Sequence, residues 1–343
     1  MKLKILITGG AGFIGSFLSL YLKQQLPHSH IIAFDNLSRR GSELNIPLLQ
    51  QQEIEFIHGD IRNSEDLHMP FDILIECSAN PSILSVRNDP YKNLQTNLVG
   101  SINCFEQVRV NHAAIIFLST SRVYSIHELN NVSLLEQDLC FDGQGFSVNE
   151  HFSTASPISL YGASKLSSEK ILQEYAHDYH VPSIINRCGL IAGPGQFGKS
   201  DQGVVALWVA QHLFQKPVTY VGYQGKQVRD ILHVEDLCKL IYIQVLSFKR
   251  YYGEIFNVGG GAYRTASLKQ LTNYCTTVLN QPAPNYQYNP TERPNDIKWY
   301  VTNNEKVSQT FNWQPNKFPL QVVEDIAQWM KQNTLVQKLM KSL

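Results

Sequence analysis

The chain has 343 residues, with 29 basic groups against 29 acidic ones and no long run of either sign. That balance argues against nucleic acid or an anionic membrane as the main partner. No apolar stretch approaches the ~20 residues a membrane helix needs, and Gly9 and Gly10 interrupt any signal-peptide core.

Six cysteines at 77, 104, 140, 188, 238 and 275 are scattered, with no Cys-x-x-Cys pair and no His/Cys cluster of metal-site spacing. They fit reduced thiols of a cytoplasmic protein, with no metal expected.

Leu3 to Thr8 predicts a strand buried on both faces. Glycines follow at 9, 12 and 15, and Phe13 to Lys23 then carries apolar residues at helical spacing. Strand, glycine turn and helix in that order form a dinucleotide cradle. Backbone approaches a pyrophosphate only where no Cβ intrudes, and the helix N-terminus offers free N–H groups to phosphate. A second predicted strand, Ile31 to Phe34, ends in Asp35, twenty residues after Gly15. A carboxylate there holds the adenosine ribose hydroxyls and repels a 2′-phosphate, so NAD is expected over NADP, although Arg39 and Arg40 lie nearby.

The alternation continues. Ile54 to His58 predicts a strand leading to Asp60 and Ile61, placed to meet an adenine by its amino group and its ring face; a plain Asp turn reads equally well. Asp72 to Cys77 predicts a fourth strand, left through Ser78-Ala79-Asn80-Pro81 at the expected cofactor edge. Asn97 to Val110 predicts a helix with Leu98, Ile102, Phe105 and Val108 inward, and Ala113 to Ser119 a fifth strand. Residues 125–157 carry few periodic apolars and read as a long functional loop or lid.

Tyr161 to Tyr179 predicts a helix, with Leu166, Ile171, Leu172, Tyr175 and Tyr179 on or near one face. A sixth strand follows at Val181 to Asn186, then a glycine-rich loop to Gly198 and a looser α+β region. In that region Glu254 to Val258 is expected to return to the main sheet. The fold class is therefore α/β: a Rossmann doubly wound parallel sheet of about seven strands with a smaller α+β C-terminal lobe. The expected division is 1–186 plus about 230–260 for the NAD-binding part, and 187–229 with 261–343 for the substrate-binding lobe.

Tyr161 and Lys165 stand four apart and share a helix face. A phenol titrates near pH ~10 in water. A lysine cation and a positive nicotinamide ring both favour its ionised form, so that it can act as a base. Thr120, just past the fifth strand, is placed to orient a substrate hydroxyl. Arg229 and Arg293 together suit a diphosphate, since guanidinium meets phosphate with paired donors, whereas each alone reads as an ordinary surface arginine.

These residues give the chain a resemblance to the extended short-chain dehydrogenases/reductases of the NAD-dependent sugar epimerase/dehydratase group. The marks are Thr8-Gly9-Gly10-Ala11-Gly12-Phe13-Ile14-Gly15, Thr120 before Val123-Tyr124, Tyr161-x-x-x-Lys165, Gly193-Pro194, and Arg229-Asp230 before His233-Val234-x-Asp236. Within the group, Phe34 to Gly41, His58 to Asn63, Asp201-Gln202-Gly203 and Gly225 to Asp230 look like the epimerases that invert C2 of CDP-3,6-dideoxyhexoses.

The resemblance implies a tightly held NAD and a nucleotide-diphosphosugar substrate, a CDP-sugar before others. It also implies a catalytic trio of Thr120, Tyr161 and Lys165, and a homodimer packed through the helices near 97–110 and 161–179. The implied cofactor residues are Gly9, Gly12, Phe13, Ile14, Gly15, Asp35, Asn36, Ser38, Arg39, Asp60, Ile61, Ser78, Ala79, Asn97 and Cys188, with Tyr161 and Lys165. The implied substrate residues are Asn80, Thr120, Gln202, Gly203, Arg229 and Arg293.

Two departures matter. The group has a His where the fourth strand ends, and this chain has Glu76-Cys77-Ser78. The gap from Tyr124 to Tyr161 is also long. The expected activity is epimerisation by transient oxidation of a sugar carbinol. A UDP-hexose 4-epimerase uses the same trio. A dehydratase needs an acid beside the Thr, where this chain has Ser121-Arg122. A net dehydrogenase and a silent NAD-binding sensor complete the alternatives.

Overall fold

The computed structural model describes residues 2–81, 86, 88–199 and 202–341. Asp201, one of the resemblance residues, lies outside them. Seven strands form the main sheet. In chain order they are Lys4–Thr8 (β1), His30–Asp35 (β2), Glu55–His58 (β3), Ile73–Glu76 (β4), Ala114–Thr120 (β5), Ser183–Cys188 (β6) and Tyr252–Val258 (β7). Across the sheet they run β7-β6-β5-β4-β1-β2-β3. β1 pairs in parallel with β2 and β4, β2 with β3, and β4 with β5. The order reverses at β1, which puts a ligand crevice at the carboxyl ends of β1 and β4.

The strands are apolar along their length because helices cover both faces. All seven residues of β5 are buried, as are Ile73 to Glu76 of β4. Leu6, Ile32, Leu74, Ile115 and Phe117 meet Phe105, Val108 and Leu172 in one core. Phe105 packs edge-on to Phe117 at 5.6 Å.

Two helices differ from the expectation in which face they bury. Residues 95–99 form a π-helical turn that runs into the α-helix Gly100–Val110. That pair buries Asn97, Ser101, Cys104, Phe105 and Val108, while Leu98 and Ile102 are only half-buried. The helix Ser159–Tyr179 buries Tyr161, Ser164, Lys165, Ser168, Glu169, Leu172 and Ala176, and Tyr179 is exposed. Its inner face is largely polar; of the apolar residues expected there, Leu172 is fully buried and Ile171 and Tyr175 pack against the same core, while Leu166 is half-buried.

Contacts divide the chain into two compact units. The first comprises residues 1–123, 160–187 and 238–256, and the second residues 124–159, 188–237 and 257–343. Residues 124–159, expected with the first part, group with the second. They are more ordered than a lid: a short helix, Ile126–Asn130, precedes a hairpin of Leu135–Glu136 with Phe141–Asp142. Phe141 N donates to Lys226 O at 3.1 Å, and Ser267 Oγ to Leu139 O at 2.6 Å.

In the second unit, strand Val228–His233 is central. It pairs in parallel with Leu190–Ala192 and Trp299–Tyr300, and antiparallel with Thr265–Ser267. Val218–Val221 and Tyr286–Asn289 form a separate parallel pair. The helices Val204–Leu213, Leu268–Leu279 and Pro319–Gln332 pack around Trp208, Leu271, Val322, Ile326 and Met330.

Candidate functional site

β1 ends at Thr8, and the chain turns at Gly9 with φ +67°, a conformation that side chains resist. Gly12 N donates to Gly9 O at 3.0 Å and closes the turn. The helix Phe13–Gln25 starts without a side-chain cap at Gly12, so its first N–H groups face outward to a ligand. A Cβ on Gly15 would stand 2.1 Å from Gly9 O, and one on Gly9 would stand 2.9 Å from Ser78 N. The glycines thus let the helix seat on the turn and let the turn meet the exit of β4, where Ser78 and Ala79 lie. Phe13 and Ile14 supply the first helical turn.

Asp35 ends β2 against this turn. Its carboxylate accepts from Ala11 N at 3.1 Å and Leu37 N at 2.8 Å. Burial pushes its titration up, and those backbone N–H groups oppose the rise. Asn36 Nδ2 donates to Asp60 Oδ2 at 2.9 Å, and Ser38 N to Asn36 Oδ1 at 3.0 Å. Asp60 is gripped by the Arg62 guanidinium at 2.5 Å, which holds its carboxyl down at about 2. Ile61 belongs to the core of the first unit. It is buried, and a Cβ on Gly100 would meet its Cδ1 at 2.6 Å.

Asn97 also has a structural task. Its Oδ1 accepts from Asn80 N at 2.8 Å and its Nδ2 donates to Asn80 O at 3.1 Å, which fixes the chain beyond β4. Arg39 lies two residues before Gly41, and Cys188 is the last residue of β6.

The three residues expected to form the catalytic trio, Thr120, Tyr161 and Lys165, fall within the first unit. Thr120 is the last residue of β5, nearly buried, and its Oγ1 accepts from Arg122 N at 3.2 Å. That leaves the hydroxyl proton to be donated elsewhere. Tyr161 and Lys165 are one turn apart on the buried stripe of the helix Ser159–Tyr179. Lys165 is 1% exposed, and its Nζ has no hydrogen-bond partner among the described residues. It stands 4.2 Å from the centre of the Phe117 ring and 3.8 Å from Glu76 Oε1.

A buried ammonium without a hydrogen bond is costly and calls for an acceptor. Ribose hydroxyls beside a nicotinamide are acceptors of that kind, and the glycine cradle has the clearance a pyrophosphate needs. The residues present therefore fit NAD.

Sequence reasoning missed the polar groups beneath the trio. Ser101 Oγ donates to Glu76 Oε1 at 2.6 Å. Glu169 accepts from Ser119 Oγ at 2.5 Å and from the Arg187 guanidinium at 2.7 Å. The one available signal was a charged residue at the end of an otherwise apolar strand, Ile73-Leu74-Ile75-Glu76.

The second unit holds the other expected residues. Arg229 Nη2 donates to Asp296 Oδ1 at 3.0 Å and to Ile297 O at 2.8 Å. Arg293 is exposed on the turn that presents Asp296, and Asp296 N donates to Arg293 O at 3.1 Å. Gln202 bridges to Lys199, and Gly203, with φ +73°, precedes the helix Val204–Leu213.

Residues 5–259 match the model of the NAD dependent epimerase/dehydratase family. CDP-paratose 2-epimerase of Salmonella typhi is 30% identical over 351 residues, covering 95% of this chain and 99% of the relative. Among solved structures, dTDP-glucose 4,6-dehydratase of Bacillus anthracis in complex with NAD has a TM-score of 0.80 at 26% identity and covers 98% of this chain and 99% of its own. UDP-glucuronic acid 4-epimerase of Bacillus cereus, in complex with UDP-glucuronic acid and NAD, has a TM-score of 0.81 at 25% identity and covers 96% and 99%. The glycine turn, the Tyr161–Lys165 stripe and the family match agree: the chain belongs to the NAD dependent epimerase/dehydratase family.

Proposed function

We propose that the protein is an epimerase of a nucleotide-diphosphosugar, acting at C2 of a CDP-3,6-dideoxyhexose. The observation that carries this reading is the complete trio, Thr120, Tyr161 and Lys165, with Ser121-Arg122 where a dehydratase needs an acid. The choice of a CDP-sugar is supported by the CDP-paratose 2-epimerase relative, which aligns nearly end to end with this chain.

NAD, which the glycine turn and Asp35 would hold, would supply a reversible hydride acceptor for the sugar carbon, so that no net redox change accumulates. Tyr161 takes the proton of the sugar hydroxyl as the carbon is oxidised and gives it back on reduction. Lys165 favours the ionised phenol and donates to the nicotinamide ribose. Thr120 donates to the same sugar oxygen as charge develops on it. Arg229 and Arg293 carry the paired donors that suit a diphosphate, and the sugar turns over between the two transfers. The helices near 97–110 and 161–179 form the contact of a homodimer.

The test is Tyr161→Phe. Turnover is expected to fall at least 100-fold, since a positioned acid–base group contributes about 10²–10⁴. The bound NAD, measured in the denatured supernatant, is expected to stay at the wild-type level. Turnover at the wild-type rate in this variant would overturn the assignment.

A further inference from the structure

Glu76 closes β4 with no exposed surface. A carboxylate so buried needs partners, and it has two on one oxygen. Ser101 Oγ donates to Oε1 at 2.6 Å, and Lys165 Nζ stands 3.8 Å from the same atom. Oε2 has no hydrogen-bond partner among the described residues. Burial pushes the Glu76 carboxyl up, and the Lys165 ammonium and the Ser101 hydroxyl pull it back.

Cys104, on the helix Gly100–Val110, is a further titratable group facing this pair. Burial, and then the Glu76 charge, drive its thiol well above the ordinary range, so it stays protonated. Glu169, one turn beyond Lys165, is taken up by Arg187. The Phe117 ring face lies 4.2 Å from the same ammonium.

The cluster has a consequence for Tyr161. Lys165 favours the ionised phenol only through the field of its ammonium. A carboxylate 3.8 Å from that ammonium cancels part of the field in a low-dielectric interior. We propose that Glu76 is a positioning residue for the Tyr161–Lys165 pair, a buried counter-charge that holds the lysine in place and tempers its pull on the phenol. It acts through Lys165 rather than on the substrate. The inference rests on the acid–base reading of Tyr161, and it assigns this chain's own Glu76 the task of setting the pH at which that base becomes available.

The experiment is a spectroscopic titration of the protein as purified, with its bound cofactor. Phenolate absorbance near 295 nm is recorded against pH for wild type and Tyr161→Phe, and the difference isolates Tyr161. The same pair is then measured with Glu76→Gln, which keeps the shape and removes the charge. The Tyr161 step is expected to move down by about one pH unit, since an opposite charge at this range shifts a group by 1–3 units and Glu76 acts at one remove. The acidic limb of the kcat/KM profile is expected to move with it. Glu76→Asp, which restores the charge, is expected to return the step toward its wild-type position.

Steps that superimpose in wild type and Glu76→Gln would overturn the proposal. Should Glu76→Gln fail to fold, Ser101→Ala unfastens the carboxylate and is read in the same way. A smaller downward shift supports the proposal, and none overturns it. A protein that turns over no sugar nucleotide would sink the proposed function, yet the absorbance titration would still decide the role of Glu76.

Discussion

Single residues here do their work by being buried with an unusual partner or with none. Lys165 is the clearest case, a buried ammonium whose orientation is set by a phenyl face and a carboxylate. His212 is another, far simpler. Its Nδ1 lies 2.7 Å from Trp208 O, its Nε2 has no partner among the described residues, and burial holds its titration below the ordinary 6.5. The folded state therefore resists protonating it while the unfolded chain does not. Below about pH 6.5 the unfolded state binds the extra proton, so stability falls as pH drops through that value. Melting temperatures measured from pH 7.5 to 5.5 are expected to decline, and part of that slope is expected to vanish in His212→Met. An equal slope in the variant would contradict the account.

At the scale of elements, the helix Ser159–Tyr179 shows how function overrides amphipathic pattern. Its inward face carries Tyr161, Lys165 and Glu169, and its apolar Leu166, Ile171 and Tyr175 are only half-buried. The polar face is tolerable because each charge has a designated partner. Glu169 takes the Arg187 guanidinium with side chains 0% and 4% exposed, and Ser119 adds a third donor. Removing one member of such a pair leaves the other buried and unpaired, which costs about 3–5 kcal/mol. Glu169→Ala is expected to lower the urea unfolding free energy by that amount, and Glu169→Gln by less, because the amide oxygen still accepts. A loss under about 1 kcal/mol in the alanine variant would show that the pair does not hold the helix.

Elements also show where the sequence is readable and where it is not. Strand, glycine turn and helix could be read at residues 4 to 25 because each step has a local cause. The helix Val234–Ser247 was not read at all: besides the buried Leu237, Cys238, Leu240, Ile241 and Val245 it carries Tyr242, Ile243 and Leu246 off the buried stripe, and this near-continuous apolar run blurs the 3.6-residue period. The strands Leu190–Ala192 and Thr265–Ser267 have three residues each and exist only through their pairing with Val228–His233. Segment 125–157 looked like a loop because its hairpin strands are two residues long and are fastened by distant groups such as Lys226 and Ser267.

Across the whole molecule, the residues recognisable by spacing carry the chemistry, and those that tune it depend on the tertiary fold. Tyr161 and Lys165 declare themselves as neighbours four apart. Glu76 and Ser101 are 25 residues apart and meet Lys165 only once β4 and two helices are packed. Among the described residues no helix is long and apolar enough to cross a membrane.

The central claim is hydride taken and returned without net redox change. The measurement that reaches it most directly combines the cofactor content of the purified protein with proton NMR of CDP-, UDP-, GDP- and dTDP-sugars offered to it. The account predicts NAD that co-purifies, inversion at one carbon of a CDP-sugar and no accumulation of NADH. Stoichiometric NADH release, or a 4-keto sugar as the product, would contradict it.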